Sequence, residues 1–89
     1  MEQTIYPVDV ISVCSAEGEI RPLRLQVEDR EQRKIRIDIE EILKVQEIHY
    51  TGVEAHIFLC RGRVEDWEML FELKYTFRSH TWHLLQKLH

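Results

Sequence analysis

Residues 67–77, WEMLFELKYTF, carry Trp67, Met69, Phe71, Leu73, Tyr75 and Phe77 at the odd positions, all apolar or aromatic. Between them stand Glu68, Glu72, Lys74 and Thr76, with Leu70 the one apolar intruder. A helix places residues three and four apart on one face, so this run wound helically would turn several aromatics to water. A strand separates the two sets onto opposite faces. The stretch reads as a half-buried strand, and its period of two sets the fold class.

The same alternation spreads outward. Ile35, Ile37 and Ile39 alternate with Lys34, Arg36, Asp38 and Glu40, and Leu23, Leu25 and Val27 alternate with Arg24 and Gln26. In VEAHIFL, Val53, Ala55, Ile57 and Leu59 form the expected core face, leaving Glu54, His56 and Phe58 on the other. Gly18, Gly52 and Gly62 fall between such runs, where turns call for positive φ. Pro7 precedes the first strand, and Pro22 suggests an edge or a bulge in the second. Residues 41–50, EILKVQEIHY, are richer in helix formers; they read as a strand continuing past a bulge near Glu40–Glu41, with a short helix as the alternative. The expectation is an all-β single domain over residues 5–89: a small barrel, SH3-like, or a strongly bent antiparallel sheet of six to seven strands.

Eighty-nine residues suffice for one small core. With 44% hydrophobic and 31% charged residues the chain is globular in composition. Its formal net charge of −4 argues against a general polyanion binder. Neither a signal peptide nor an apolar run of membrane-spanning length is evident, and Cys14 and Cys60 are too few for a disulfide scaffold. The expected setting is cytoplasmic, with reduced thiols and no membrane partner.

Six basic residues between Arg21 and Arg36 raise the question of a phosphate-binding surface. Keeping the apolar faces together pairs Val27 with Ile35, Leu25 with Ile37 and Leu23 with Ile39. The other face then sets Arg24 against Asp38, Gln26 against Arg36 and Glu28 against Lys34. The hairpin supplies its own counter-charges, and DREQR becomes a solvated loop. It also lacks exposed aromatics on which bases could stack. A nucleic-acid accessory role through Arg24, Arg30, Arg33, Lys34 and Arg36 stands as the alternative.

Catalytic signatures are missing: there is no G-x-S-x-G, Gly-rich phosphate loop or H-E-x-x-H. His80 and His83 would face opposite sides of a strand, and His56 and Cys60 would lie about 13 Å apart along one. No metal, cofactor or enzymatic activity is expected. Arg61 and Arg63 flank Cys60, but Arg61 points to the other face, so Cys60 reads as a structural thiol.

Pairing Leu59 with Met69, Ile57 with Phe71 and Ala55 with Leu73 places His56 against Glu72 and Phe58 against Leu70. A two-residue Ser79–His80 loop then pairs Phe77 with Trp82, Tyr75 with Leu84 and Glu72 with Lys87. In this register Phe58, Leu70 and Leu85 share the outer face, ringed by charge, while the His56–Glu72–Lys87 row is ordinary cross-strand pairing. A contiguous apolar group of this kind suggests a docking surface. The expected function is therefore a non-enzymatic protein-interaction module or homo-oligomer using Phe58, Leu70 and Leu85.

VDVISV, GEIRPLRLQVED, IRIDIEEIL, FLCR, FELKY and TWHLL together resemble a family of small bacterial all-β domains of unknown function, over about residues 8–88. That resemblance implies a compact barrel in a bacterial cytoplasm and brings no activity. A fainter likeness to small β domains associated with DNA-repair polymerases rests on Gly18 to Pro22, ELKY and Trp82 to Leu84. The WRGR-type segment of such domains is replaced here by EDREQRK.

Overall fold

A computed structural model describes residues 5–85. It contains β1 (Ile5–Pro7), β2 (Asp9–Cys14), β3 (Ile20–Glu28), β4 (Lys34–Tyr50), β5 (Val53–Val64), β6 (Trp67–Thr76) and β7 (Thr81–Leu85). All neighbours are antiparallel, in the order β1-β7-β6-β5-β4-β3-β2. The two strands at opposite ends of this order, β1 and β2, are separated in sequence by Val8 alone. Both edges of the sheet must therefore meet at Val8, which curls the sheet into a half-barrel. The Val8 amide donates to the Trp82 carbonyl at 3.2 Å, holding that junction against β7.

Residues 41–50 lie within β4, so the strand reading holds and the described residues include no helix. Their helix propensity is overridden by pairing: Ile42 sits opposite Cys60, Val45 opposite Phe58 and Ile48 opposite Ala55. A straight strand of 17 residues would run about 56 Å. The longest dimension of the molecule is 37 Å, so β4 has to bend. Its register shifts between Ile39 and Glu41, and again between Ile42 and Lys44. Such bulges bend a strand and increase its twist. A further shift between Ile11 and Ser12 leaves Leu23 unmatched beside the buried Pro22, as the proline suggested.

The β3–β4 register is the expected one from Arg24 opposite Asp38 to Glu28 opposite Lys34, but the ladder stops there, so the expected Leu23–Ile39 pair does not form and Leu23 is exposed. The β5–β6 register is not. Phe58 pairs with Leu73, Cys60 with Phe71 and Gly62 with Met69, which turns the even residues of β5 inward. Val53, Ala55, Ile57 and Leu59 face the other way, though their apolar alternation is the more regular; of the four, Ala55 is nonetheless buried, between Ile48 and Thr76. The volume available inside decides this: Phe58 and Cys60 fill the core, and Gly62 leaves room for the Phe71 ring. Ile57 and Leu59 are half-buried on the convex face, beside Lys74, Gln46, Glu72 and Lys44. Long side chains cover apolar surface with their methylene stems, which makes this face tolerable. Gly62 therefore lies within a strand, whereas Gly18 and Gly52 occupy turns at φ 89° and 78°.

The β6–β7 register also differs from expectation. Tyr75 pairs with Trp82, Leu73 with Leu84 and Glu72 with Leu85, making Phe77 through His80 the loop. Phe77 is held elsewhere, its amide donating to the Glu54 carbonyl at 3.0 Å. Trp82 gains ring neighbours in Tyr75, 4.8 Å away between centroids, and Phe58 at 5.6 Å. The core cluster is Leu25, Ile37, Phe58, Cys60, Phe71, Leu73, Tyr75 and Trp82.

Candidate functional site

The structure does not assemble Phe58, Leu70 and Leu85 on one outer face. Phe58 is 2% exposed and belongs to the core, because the actual β5–β6 register turns it inward. Leu85 pairs with Glu72 and Ile5 and is buried, outside the main core cluster. Leu70, opposite Arg61, remains 53% exposed. The His56–Glu72–Lys87 row dissolves for the same reason: His56 stands between Tyr75 and Glu47, and Lys87 lies outside the described residues.

The basic hairpin is largely self-neutralised. Arg24 Nε donates to Asp38 Oδ1 at 2.8 Å, and Arg36 Nε lies 3.9 Å from the same oxygen. Arg33 bridges Asp29 at 3.0 Å and Glu31 at 3.2 Å. The 29–33 loop is organised by Asp29, whose Oδ1 accepts the amides of Glu31 and Arg33 at 2.8 and 2.9 Å. The Arg33 amide, foremost among these donors, holds the Asp29 carboxyl below its usual range. Gln32 completes the turn at φ 64°. Arg30 and Lys34 instead border a cleft, with Lys34 opposite Glu28.

That cleft opens at the mouth of the half-barrel, where β1, the β3–β4 hairpin, the start of β6 and β7 converge. It encloses about 910 Å³. Val27, Ile37, Phe71 and Leu84 give it an apolar floor, with Tyr6, Met69 and Leu70 along its lip. Asp9, Glu28, Asp29, Arg30 and Lys34 supply a rim of mixed charge. Trp67 extends the face of Met69 by one alternate position and is 75% exposed. Alternation alone assigned Trp67 and Met69 to the core. Their surroundings carried the contrary signal, since Arg61, Arg63, Glu65, Asp66 and Glu68 crowd that hairpin tip. On the convex side Arg63 ties Glu40 and Glu68 together at 2.9 and 3.2 Å, and Arg61 reaches Glu41 at 2.9 Å. The Glu40 hydrogen bond pushes the Arg63 pKa up.

At the other end of the concave face, Glu47 accepts from His49 Nε2 at 3.1 Å and stands opposite His56. The His49 contact, followed by the charge of His56, holds the Glu47 carboxyl below its ordinary value. Tyr75 Oη and His80 Nδ1 are 2.9 Å apart. The described residues contain no group of three or more His, Cys, Asp or Glu side chains arranged to hold a metal ion. Cys60 is wholly buried and its thiol is pushed up to about 12 by desolvation, consistent with the structural role read from sequence. Cys14 is exposed.

Fold and cleft define an all-β, curled seven-stranded antiparallel meander with an apolar opening at one end. Neither family models, curated proteins nor solved structures give a match to this chain. Among the described residues, no helix is long and apolar enough to cross a membrane.

Proposed function

We propose that the protein is a non-enzymatic interaction module that receives an apolar segment of a partner protein at the mouth of the half-barrel. The observation that carries this reading is that buried and exposed apolar residues line the same cleft. Buried Ile37 and Phe71 line one cleft together with exposed Tyr6, Met69 and Leu70, so apolar residues of the core and of the surface share this opening. A mixed-sign rim suits a polypeptide, whose flanking residues can present either charge, better than a polyanion. Of the residues expected to dock a partner, Leu70 keeps that role; Tyr6, Met69 and Trp67 join it.

The test is selection from a displayed random-peptide library on immobilised protein, followed by affinity measurement on wild type and Leu70→Lys. Peptides with apolar anchors should be enriched and should lose at least about tenfold in affinity on Leu70→Lys, roughly 1.4 kcal/mol. The reading fails if nothing is enriched above a reference surface, or if enriched peptides bind both proteins equally.

A further inference from the structure

A curled sheet that stops short of full closure leaves strand edges, and within the described residues these include β1, part of β4 and β2. β1 is three residues long and ends in Pro7, which has no amide to donate. The β3 ladder on β4 ends at Asp38, which leaves the residues from Ile39 to Tyr50 unpaired along that side. That second edge carries two bulges and the charges of Glu40, Glu41, Lys44 and Glu47. Short length, proline, bulges and charge are the devices by which natural sheets avoid adding strands.

The third edge has none of them. β2, DVISVC, is six residues long, pairs among the described residues with β3 alone and has no charge after Asp9. The irregularity in that ladder falls on Leu23 of β3 and leaves β2 regular. Ile11 and Val13 point to the convex face, 57% and 40% exposed, with the unmatched and exposed Leu23 beside them. Here an undefended run of backbone donors and acceptors coincides with an exposed apolar strip.

We infer that β2 pairs with β2 of a second copy of this chain, antiparallel, about a two-fold axis at Ser12. A two-fold normal to the sheet keeps each face on its own side, so opposed residues must share a face. Centring on Ser12 meets that condition and sets Ile11 against Val13 of the other copy, twice. On the concave face it sets Val10 against Cys14, also twice, with Ser12 meeting itself. The only charge in the strand, Asp9, meets Ser15, so no like charges oppose across the join. Centring on Ile11 instead would set Asp9 against Val13 and break the apolar strip. The strand is thus its own best complement, with two cross-strand pairs of β-branched residues on the outer face. One strand pair buries an area at the low end of specific interfaces, below about 1,200 Å², so the dimer is reversible and concentration-dependent.

The experiment is sedimentation velocity on the full chain from low micromolar to several hundred micromolar, for wild type, Val13→Lys and Leu70→Lys. Wild type and Leu70→Lys should shift from monomer to dimer with concentration. Val13→Lys should stay monomeric while keeping its circular dichroism spectrum and melting temperature. For the register, Ser12→Cys in a Cys14→Ser background should form a disulfide dimer under mild oxidation, much faster than Arg30→Cys in the same background. A wild type that is monomeric throughout overturns the proposal. So does a dimer that survives Val13→Lys, or Ser12→Cys cross-linking no faster than the control. Leu70→Lys separates this surface from the cleft, since loss of peptide binding there leaves the dimer untouched.

Discussion

Replacing Gly62 with alanine should destabilise the protein although it adds a single methyl group to a strand. A Cβ built at Gly62 falls 2.6 Å from Phe71 Cε1, 3.0 Å from the Asp38 carbonyl oxygen and 3.0 Å from Ile37 Cγ2. Carbon atoms pack best at about 3.5–4.0 Å, so the Phe71 ring would have to retreat by about 1 Å. The ring is buried among Ile37, Cys60 and their neighbours in the core cluster, and the Asp38 oxygen belongs to the backbone of β4. Overpacking of this kind costs about 1–3 kcal/mol. Against it, alanine restricts the unfolded chain and suits a strand better than glycine, which offsets about 0.5–1 kcal/mol. The net loss should be about 1–2 kcal/mol, or about 5–15 °C in melting temperature for a domain of this size. Urea unfolding followed by circular dichroism measures it, with an unchanged m-value showing that the folded architecture is retained. A second variant locates the clash: Phe71→Leu should cost about 1 kcal/mol less in the Gly62→Ala background than in wild type, because the ring that collides is gone. Gly62→Ala as stable as wild type, or strictly additive effects with Phe71→Leu, would refute the packing argument.

The two thiols should behave differently: Ellman's reagent at neutral pH should titrate one thiol, Cys14, in the native protein, and both only after denaturation. Because the folded Cys60 thiol is pushed from an ordinary value near 9.0 up to about 12, the unfolded chain releases this proton first. Its contribution is therefore complete below about pH 9 and is lost as pH rises toward 12, by at most about 4 kcal/mol. Urea midpoints from pH 8 to 10.5 should fall more steeply for wild type than for Cys60→Ala, and parallel slopes would contradict this. Phe58→Ala should cost about 3–5 kcal/mol in urea unfolding while Leu70→Ala stays within about 0.5 kcal/mol, the reverse of expectation if both lay on one outer face. A double-mutant cycle on Arg24 and Asp38, exposed partners at 2.8 Å, should return about 0.2–1 kcal/mol that fades with added salt.

The local content of the fold was legible where one strand face was clearly polar. WEMLFELKYTF and KIRIDIE have that character, and the β3–β4 register followed because only one pairing matched both the apolar faces and the charges. β5 misled because it is the central strand and carries apolar residues on both faces. There alternation favoured Val53, Ala55, Ile57 and Leu59, and the side facing the core could not be chosen without its neighbours. That error moved Phe58 from core to surface and took the expected docking group apart, sparing Leu70. The β6–β7 register failed through Phe77, whose amide is committed to Glu54 by a bond between residues far apart in sequence.

Residue order alone determined that the chain is built of antiparallel strands, that Gly18 and Gly52 fall in turns and that its basic hairpin carries its own counter-charges. These are properties of neighbours within a strand or a hairpin, where a period of two and a short loop leave few alternatives. Tertiary structure decided which face of β5 is inside, why Gly62 has no side chain and where apolar surface reaches solvent. Those depend on how far a 17-residue strand must coil to fit a molecule 37 Å long, and on two sheet edges meeting at Val8. A bulge near Glu40–Glu41 could be read locally, but the extent of the curl is a property of the whole sheet.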